Sequence, residues 1–141
     1  MKKQEGFFGL HVPFLELLGA KCELAEQAGG GTSRISLDLR PELMNSFNVS
    51  HGGVIMTMLD VAMAVAVRAS HDHGGGVITI DMSLSFIRSA QGRIVAEGKV
   101  LRGGGALFFC EGEARDASGE LVAKSLGTFK LHRAKSDGAG N

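Results

Sequence analysis

From Val54 to Val67 every residue is apolar except Thr57 and Asp60, so a helical wheel drawn on this stretch has no solvent face. A helix apolar all round must be enclosed, and the run is shorter than the roughly 20 residues a membrane span needs, so protein is the expected enclosure. On either side the pattern changes period. Residues 33–40 alternate Ile35, Leu37 and Leu39 with Ser36, Asp38 and Arg40, as a strand with one wet face does, and residues 21–27 supply a partner across Gly29-Gly30-Gly31. After a further glycine run come four strand candidates at 77–87, 92–102, 106–116 and 121–132, separated by turn-forming segments and therefore read as a meander. In the first, Ile78, Ile80, Met82, Leu84 and Phe86 alternate with Thr79, Asp81, Ser83 and Ser85, which assigns Thr79 to the polar face.

The remaining segments frame this core. Phe7, Leu10, Phe14, Leu15, Leu17 and Leu18 give an apolar stripe to a short packing helix with Pro13 early and Gly19 at its end. Ser50 is the expected N-cap of the central helix, which should run to about Ala69, and residues 134–141 read as a flexible tail. The predicted organisation is an N-terminal helix in residues 1–20 and one domain over 21–133. Two strands, a buried helix and four strands define an α+β fold, a six-stranded antiparallel sheet wrapped around one long central helix, whose edge strands invite a second copy.

Composition narrows the function. With 141 residues the chain has room for one core, and its 15 basic and 15 acidic residues form no basic patch, which argues against nucleic acid. Lys2-Lys3 precedes Phe7, Phe8 and Leu10, but His11, Pro13 and Glu16 break any leader-like apolar run, so no signal peptide and no membrane partner are expected. Cys22 and Cys110 fall in strands outside any metal or redox motif, as in a reduced, cytoplasmic protein. His71-Asp72-His73 is the one metal-like cluster, and its position at a helix end suits capping of terminal carbonyls better than a metal, so no metal is expected. Met56, Met58 and Met63 read as core and pocket lining, and Phe108-Phe109 as one ring in and one out.

The chemistry gathers at Asn45, His51-Gly52-Gly53 and Asp60. Here the sequence resembles the hotdog-fold acyl-CoA thioesterases of the PaaI-like and thioesterase superfamily member 2-like group, over roughly residues 32–132. That group has His-Gly-Gly opening the central helix, an acidic residue nine positions after the histidine, and Asn or Gln six positions before it, as this chain does. The Val77–Met82 strand, the Ser-Ala-Gln-Gly turn and the Asp-Ala-Ser-Gly-Glu-Leu-Val-Ala hairpin fall where the group has its own. The resemblance implies hydrolysis of an acyl-CoA thioester without cofactor, coenzyme A being part of the substrate. It assigns Asn45 to orienting the nucleophile or water, His51 to positioning the thioester, and Thr79 to the place of a serine that helps hold water.

Thioester hydrolysis needs an oxyanion donor and a base or nucleophile. The Gly52 amide at a helix N-terminus suits the first, and Asp60 suits the second in either role. Gly52 and Asp60 are eight residues apart, roughly 12 Å along a helix, too far to serve one carbonyl. A site shared across a twofold axis is therefore expected, in a homodimer that the resemblance pairs again into a homotetramer, with inactive monomers. Arg88 and Arg102 are available to coenzyme A phosphates but carry no assignment. The competing readings are a non-catalytic acyl-CoA-binding protein of the same fold and a hydratase, the latter disfavoured because the helix interior holds Asp60 and no histidine.

Overall fold

The computed structural model describes residues 11–71 and 75–133. The elements are α1 (Pro13–Leu18), β1 (Lys21–Glu26), β2 (Thr32–Asp38), α2 (Gly52–Ala69), β3 (Gly75–Phe86), β4 (Arg93–Arg102), β5 (Leu107–Arg115) and β6 (Leu121–Arg133), with short 3₁₀ turns at Ala28–Gly30 and Pro41–Leu43. All six strands form one antiparallel sheet in the order β1-β2-β4-β5-β6-β3. This is the hotdog fold, a sheet curled round α2. The four later strands do not form a simple meander, however. β4, β5 and β6 follow one another, but β3 crosses the sheet to pair with β6 and becomes an edge, while β2 takes the place beside β4. Alternation along a strand specifies its buried face and says nothing about its neighbours.

Small residues set how close α2 lies to the sheet. A methyl group on Gly98 would overlap the Ala62 carbonyl, and one on Gly112 would meet the Ser125 hydroxyl and the Leu59 and Met63 side chains. Ser33 on β2 donates its hydroxyl to the Ala62 carbonyl at 2.5 Å, tying the helix to the sheet at the same level. Because backbone rather than a flexible side chain opposes Gly98, we expect Gly98→Ala to destabilise the fold by about 1–3 kcal/mol, read as a lowered urea midpoint at unchanged m-value. The core around this contact holds Ile35, Leu37, Met58, Leu59, Ile94 and Val122, continued toward the C-terminal end of α2 by Met63, Val67, Phe108 and Phe129. Phe108 is buried and Phe109 exposed. Burial pushes the Cys110 thiol up to about 12 and also raises Cys22, so both remain protonated and unreactive at neutral pH.

Three expectations are corrected. The helix is not enclosed on every side: Met56 is 46 % exposed, and Thr57, Asp60, Val61, Ala64 and Arg68 are half-buried, leaving an open stripe along α2. The N-cap is His51 rather than Ser50, which is buried and bonded to the Ala90 carbonyl through its own N–H. In β3 the alternation is interrupted. Thr79 faces Phe129 and Asp81 faces Thr128, so Ile80 is an extra residue on β3. This bulge places Val77 and Thr79 on the helix side together with Met82, Leu84 and Phe86, and leaves Ile78 and Ile80 about half exposed. In α1, Leu15 and Leu18 are buried while Phe14 and Leu17 are exposed. Phe7, Leu10, Asp72, His73 and the tail from 134 lie outside the described residues.

Candidate active site

The N-terminal end of α2 is organised by its cap. His51 has extended backbone (φ −61°, ψ 137°), and its Nδ1 accepts the Gly53 N–H at 2.9 Å. With Nδ1 accepting, the neutral ring carries its proton on Nε2 and offers that as a donor. The Val54 N–H is bonded to the His51 carbonyl at 3.0 Å, so of the first three helical amides only Gly52 has no hydrogen-bond partner among the described residues. The Phe86 ring lies over Gly52, close enough that an added methyl would come within 3.3 Å of it. An unengaged N–H with an aromatic roof is suited to receive a carbonyl oxygen out of bulk water.

Asn45 sits in the loop that delivers the chain to this end. Its Oδ1 accepts the N–H of Phe47 at 2.9 Å and of Val49 at 3.3 Å, and its own N–H donates to the Val49 carbonyl at 2.8 Å. The side-chain carbonyl is thereby committed to shaping the loop, and the NH₂ is what Asn45 can give a ligand. Asn45 and Gly52 line the same cavity, of about 310 Å³, together with Phe86, Ile87 and Arg88. The Arg88 guanidinium pairs with Glu120 at 3.0 Å.

Asp60 belongs to a different place. Its Oδ1 accepts a hydrogen bond from the Thr79 hydroxyl at 2.7 Å, which fixes the carboxylate and leaves its second oxygen to act. The pair lines a cavity of about 170 Å³ walled by Val12, Leu15, Val61, Val65 and Val77, into which Arg68 also faces. Thr57, one turn before, returns its hydroxyl to the Gly53 carbonyl at 2.9 Å and does not join the pair. Thus the structure brings Asn45 and Gly52 together in one cavity and Asp60 and Thr79 together in another along the same helix, while His51 caps the helix next to Gly52 without lining either cavity.

Two residues lining these cavities were not singled out from the sequence. Phe86 owes its position over Gly52 to the bulge at Ile80, for which the sequence carries no local sign. Arg68 stands two helical turns after Asp60, a spacing that could have placed it on the same face. Arg102 lines a third cavity, of about 500 Å³, at the far end of α2 with His71 and Phe108, whose rings meet edge to face at 5.0 Å. Among the described residues no three metal-ligating side chains gather.

Residues 47–123 match the family model described as the thioesterase superfamily. The chain belongs to that superfamily. It is 30% identical over 106 residues to the protein named "Putative esterase SSO2140" of Saccharolobus solfataricus, covering 74% of this chain and 75% of the relative. An Archaeoglobus fulgidus relative, likewise named an esterase of that provisional kind, is 31% identical over 116 residues, 80% of this chain and 71% of its own. Among solved structures, the conserved protein PA5202 of Pseudomonas aeruginosa superposes with a TM-score of 0.77 at 28% identity, covering 86% of this chain and 94% of its own. The Escherichia coli PaaI protein, from the phenylacetic acid degradation operon, superposes with a TM-score of 0.76 at 18% identity over 89% and 87% of the two chains, a likeness of fold. The chain is a thioester hydrolase of the hotdog fold, PaaI-like in architecture.

Proposed function

We propose that this thioesterase hydrolyses aryl- or fatty-acyl-CoA esters at a site assembled by two subunits, Asp60 and Thr79 of one meeting the partner's Gly52, His51 and Asn45. The observation that carries this reading is the division of the groups between two cavities, an oxyanion donor in one and a carboxylate in the other. Both groups stand on α2, eight residues and roughly 12 Å apart, and neither half has its complement beside it among the described residues. Antiparallel pairing of two α2 helices about a twofold axis brings each donor to the other subunit's carboxylate and generates two equal sites. Two features favour this pairing: the open stripe along α2, which leaves Met56, Val61 and Ala64 accessible beside Asp60, and the edge strand β3 with Ile78 and Ile80 half exposed. A further pairing of dimers gives the tetramer.

In the assembled site the thioester carbonyl takes the Gly52 N–H, with the Asn45 NH₂ and the His51 Nε2–H as neighbouring donors. Asp60 then either removes a proton from water as it attacks, with CoA thiolate leaving, or attacks the carbonyl itself to form an anhydride that water opens. Thr79 positions the carboxylate in both routes. The reading is tested by thiol release from a panel of aryl- and fatty-acyl-CoA esters: hydrolysis of at least one class is expected, whereas acyl-CoA binding without release of thiol identifies a binder.

The Thr79 contact makes a separate prediction. Thr79→Val removes the hydroxyl at nearly constant size and is expected to lower kcat about tenfold, while Thr79→Ser retains most of the activity. Loss of activity in Thr79→Ser with Thr79→Val near the wild-type rate would show that the methyl group, and not the hydroxyl, matters.

A further inference from the structure

Phe47 is 83 % exposed, more than any other large apolar side chain among the described residues. A single apolar side chain on a surface needs no explanation, but this one is held there. Its N–H donates to Asn45 Oδ1 at 2.9 Å, and the same oxygen accepts the Val49 N–H. Asn48, next along, has left-handed backbone (φ 59°), which asparagine tolerates better than most residues. Its N–H donates to the Asn45 carbonyl at 3.0 Å, and its own carbonyl accepts from the Gln91 side chain at 3.2 Å. A loop so braced keeps the ring out in solvent. Phe47 accordingly does not line the cavity that holds Asn45 and Gly52.

On the shared-site reading above, the Asn45 NH₂ reaches a thioester carbonyl held at the partner's Asp60. The Phe47 N–H is bonded to the oxygen of that same Asn45 amide, so Phe47 enters the second subunit together with Asn45, within a side chain's reach of the reacting carbonyl. What it meets there is the cavity of about 170 Å³ beside Asp60, whose walls are largely hydrocarbon, from Val61, Val65 and Val77 among others. Asp60 is half-buried and Thr79 exposed, so within one chain the cavity lacks a wall on their side. A hydrocarbon-lined cavity of roughly 150 Å³ takes one benzene, so this one has room for an acyl group of about a phenyl ring's bulk. We infer that Phe47 is a specificity-determining residue acting in the partner's site, where its ring supplies the missing apolar wall and limits the acyl group to compact ones. The ordinary alternatives are a surface phenylalanine without a role and a mere anchor of the subunit interface. Neither would change the choice of acyl group.

The test uses the full chain with butanoyl-, hexanoyl- and dodecanoyl-CoA, thiol release giving kcat/KM and size-exclusion chromatography reporting the dimer. Wild type is expected to favour hexanoyl over dodecanoyl. Phe47→Ala removes the wall, and the ratio of those two kcat/KM values should fall by about 10-fold or more, whereas Phe47→Trp narrows the cavity and should move the preference toward butanoyl. The subunit served by the ring is read in hybrid dimers of Asp60→Asn with Gly52→Pro, whose one working site combines the Asp60 of the proline subunit with the Gly52 end of the asparagine subunit. Phe47→Ala added to the asparagine subunit should change the preference as it does in the homodimer, and added to the proline subunit should leave it unchanged. A change that follows the proline subunit instead overturns the proposal. So does a wild type that prefers dodecanoyl, or a Phe47→Ala dimer with an unaltered ratio. If Phe47→Ala loses the dimer and Phe47→Trp keeps the wild-type order of esters, the ring is an interface anchor and the proposal is likewise overturned. Failure of the hybrid to regain activity before any change at Phe47 would instead end the shared-site reading, and this one with it.

Discussion

Replacing Asp60 with asparagine is expected to lower turnover by about 10²- to 10⁴-fold while leaving the fold and its thermal midpoint close to those of wild type. The Thr79 hydroxyl donates a hydrogen bond to Asp60 Oδ1. Asparagine keeps an oxygen that can accept this bond at the same place, so the local packing has no reason to change. What it lacks is the second carboxylate oxygen with its charge, and that is the group that must take a proton or attack a carbonyl. Both chemical routes therefore predict the same loss. They separate in a single-turnover experiment, where a nucleophilic Asp60 transfers solvent ¹⁸O into its own side chain and a base does not. Turnover of Asp60→Asn at the wild-type rate would remove Asp60 from the chemistry and leave it a structural carboxylate held by Thr79.

The motif was legible because its spacing is local. Asn45, His51, Gly52 and Asp60 lie within sixteen consecutive residues, and the helix that carries the last two is announced by its apolar run. Strand positions and the helix end near Ala69 were legible for the same reason, since alternation and glycine punctuation act over a few residues. What stayed hidden depends on distant partners. The place of β3 beside β6 is a choice among sheet neighbours that its own alternation cannot express. The extra residue at Ile80 shows itself only against the register of β6, and it reverses the face assigned to Thr79. Likewise the open stripe on α2 follows from a sheet that curls round only part of the helix, which a helical wheel does not contain. His51 takes the cap from Ser50 because Ser50 is drawn into the loop by the Ala90 carbonyl, forty residues further along the chain, and nothing in the sequence hints at that bond.

Two variants that are each inactive should restore one another when mixed. Gly52→Pro is suited to the purpose by the geometry of the helix start. Gly52 is the first helical residue, where proline is well tolerated, its φ is not in the left-handed region, and His51 before it is already extended, as a residue preceding proline must be. The substitution removes only an N–H that has no partner among the described residues, at the expense of a shift in the half-exposed Phe86 ring. Loss of one oxyanion donor is expected to lower kcat by about 10²- to 10³-fold. Asp60→Asn lacks the other half. In a hybrid dimer one site inherits both defects and the other inherits neither, because it combines the Asp60 of the proline subunit with the Gly52 N–H of the asparagine subunit. Random reassortment makes half of the dimers hybrid, each with one intact site, so about a quarter of wild-type activity should return. The measurement is thiol release after co-refolding equal amounts of the two variants, with size-exclusion chromatography confirming that each alone still dimerises. If both dimerise and the co-refolded mixture stays at the level of the separate variants, the two half-sites do not meet across a twofold axis.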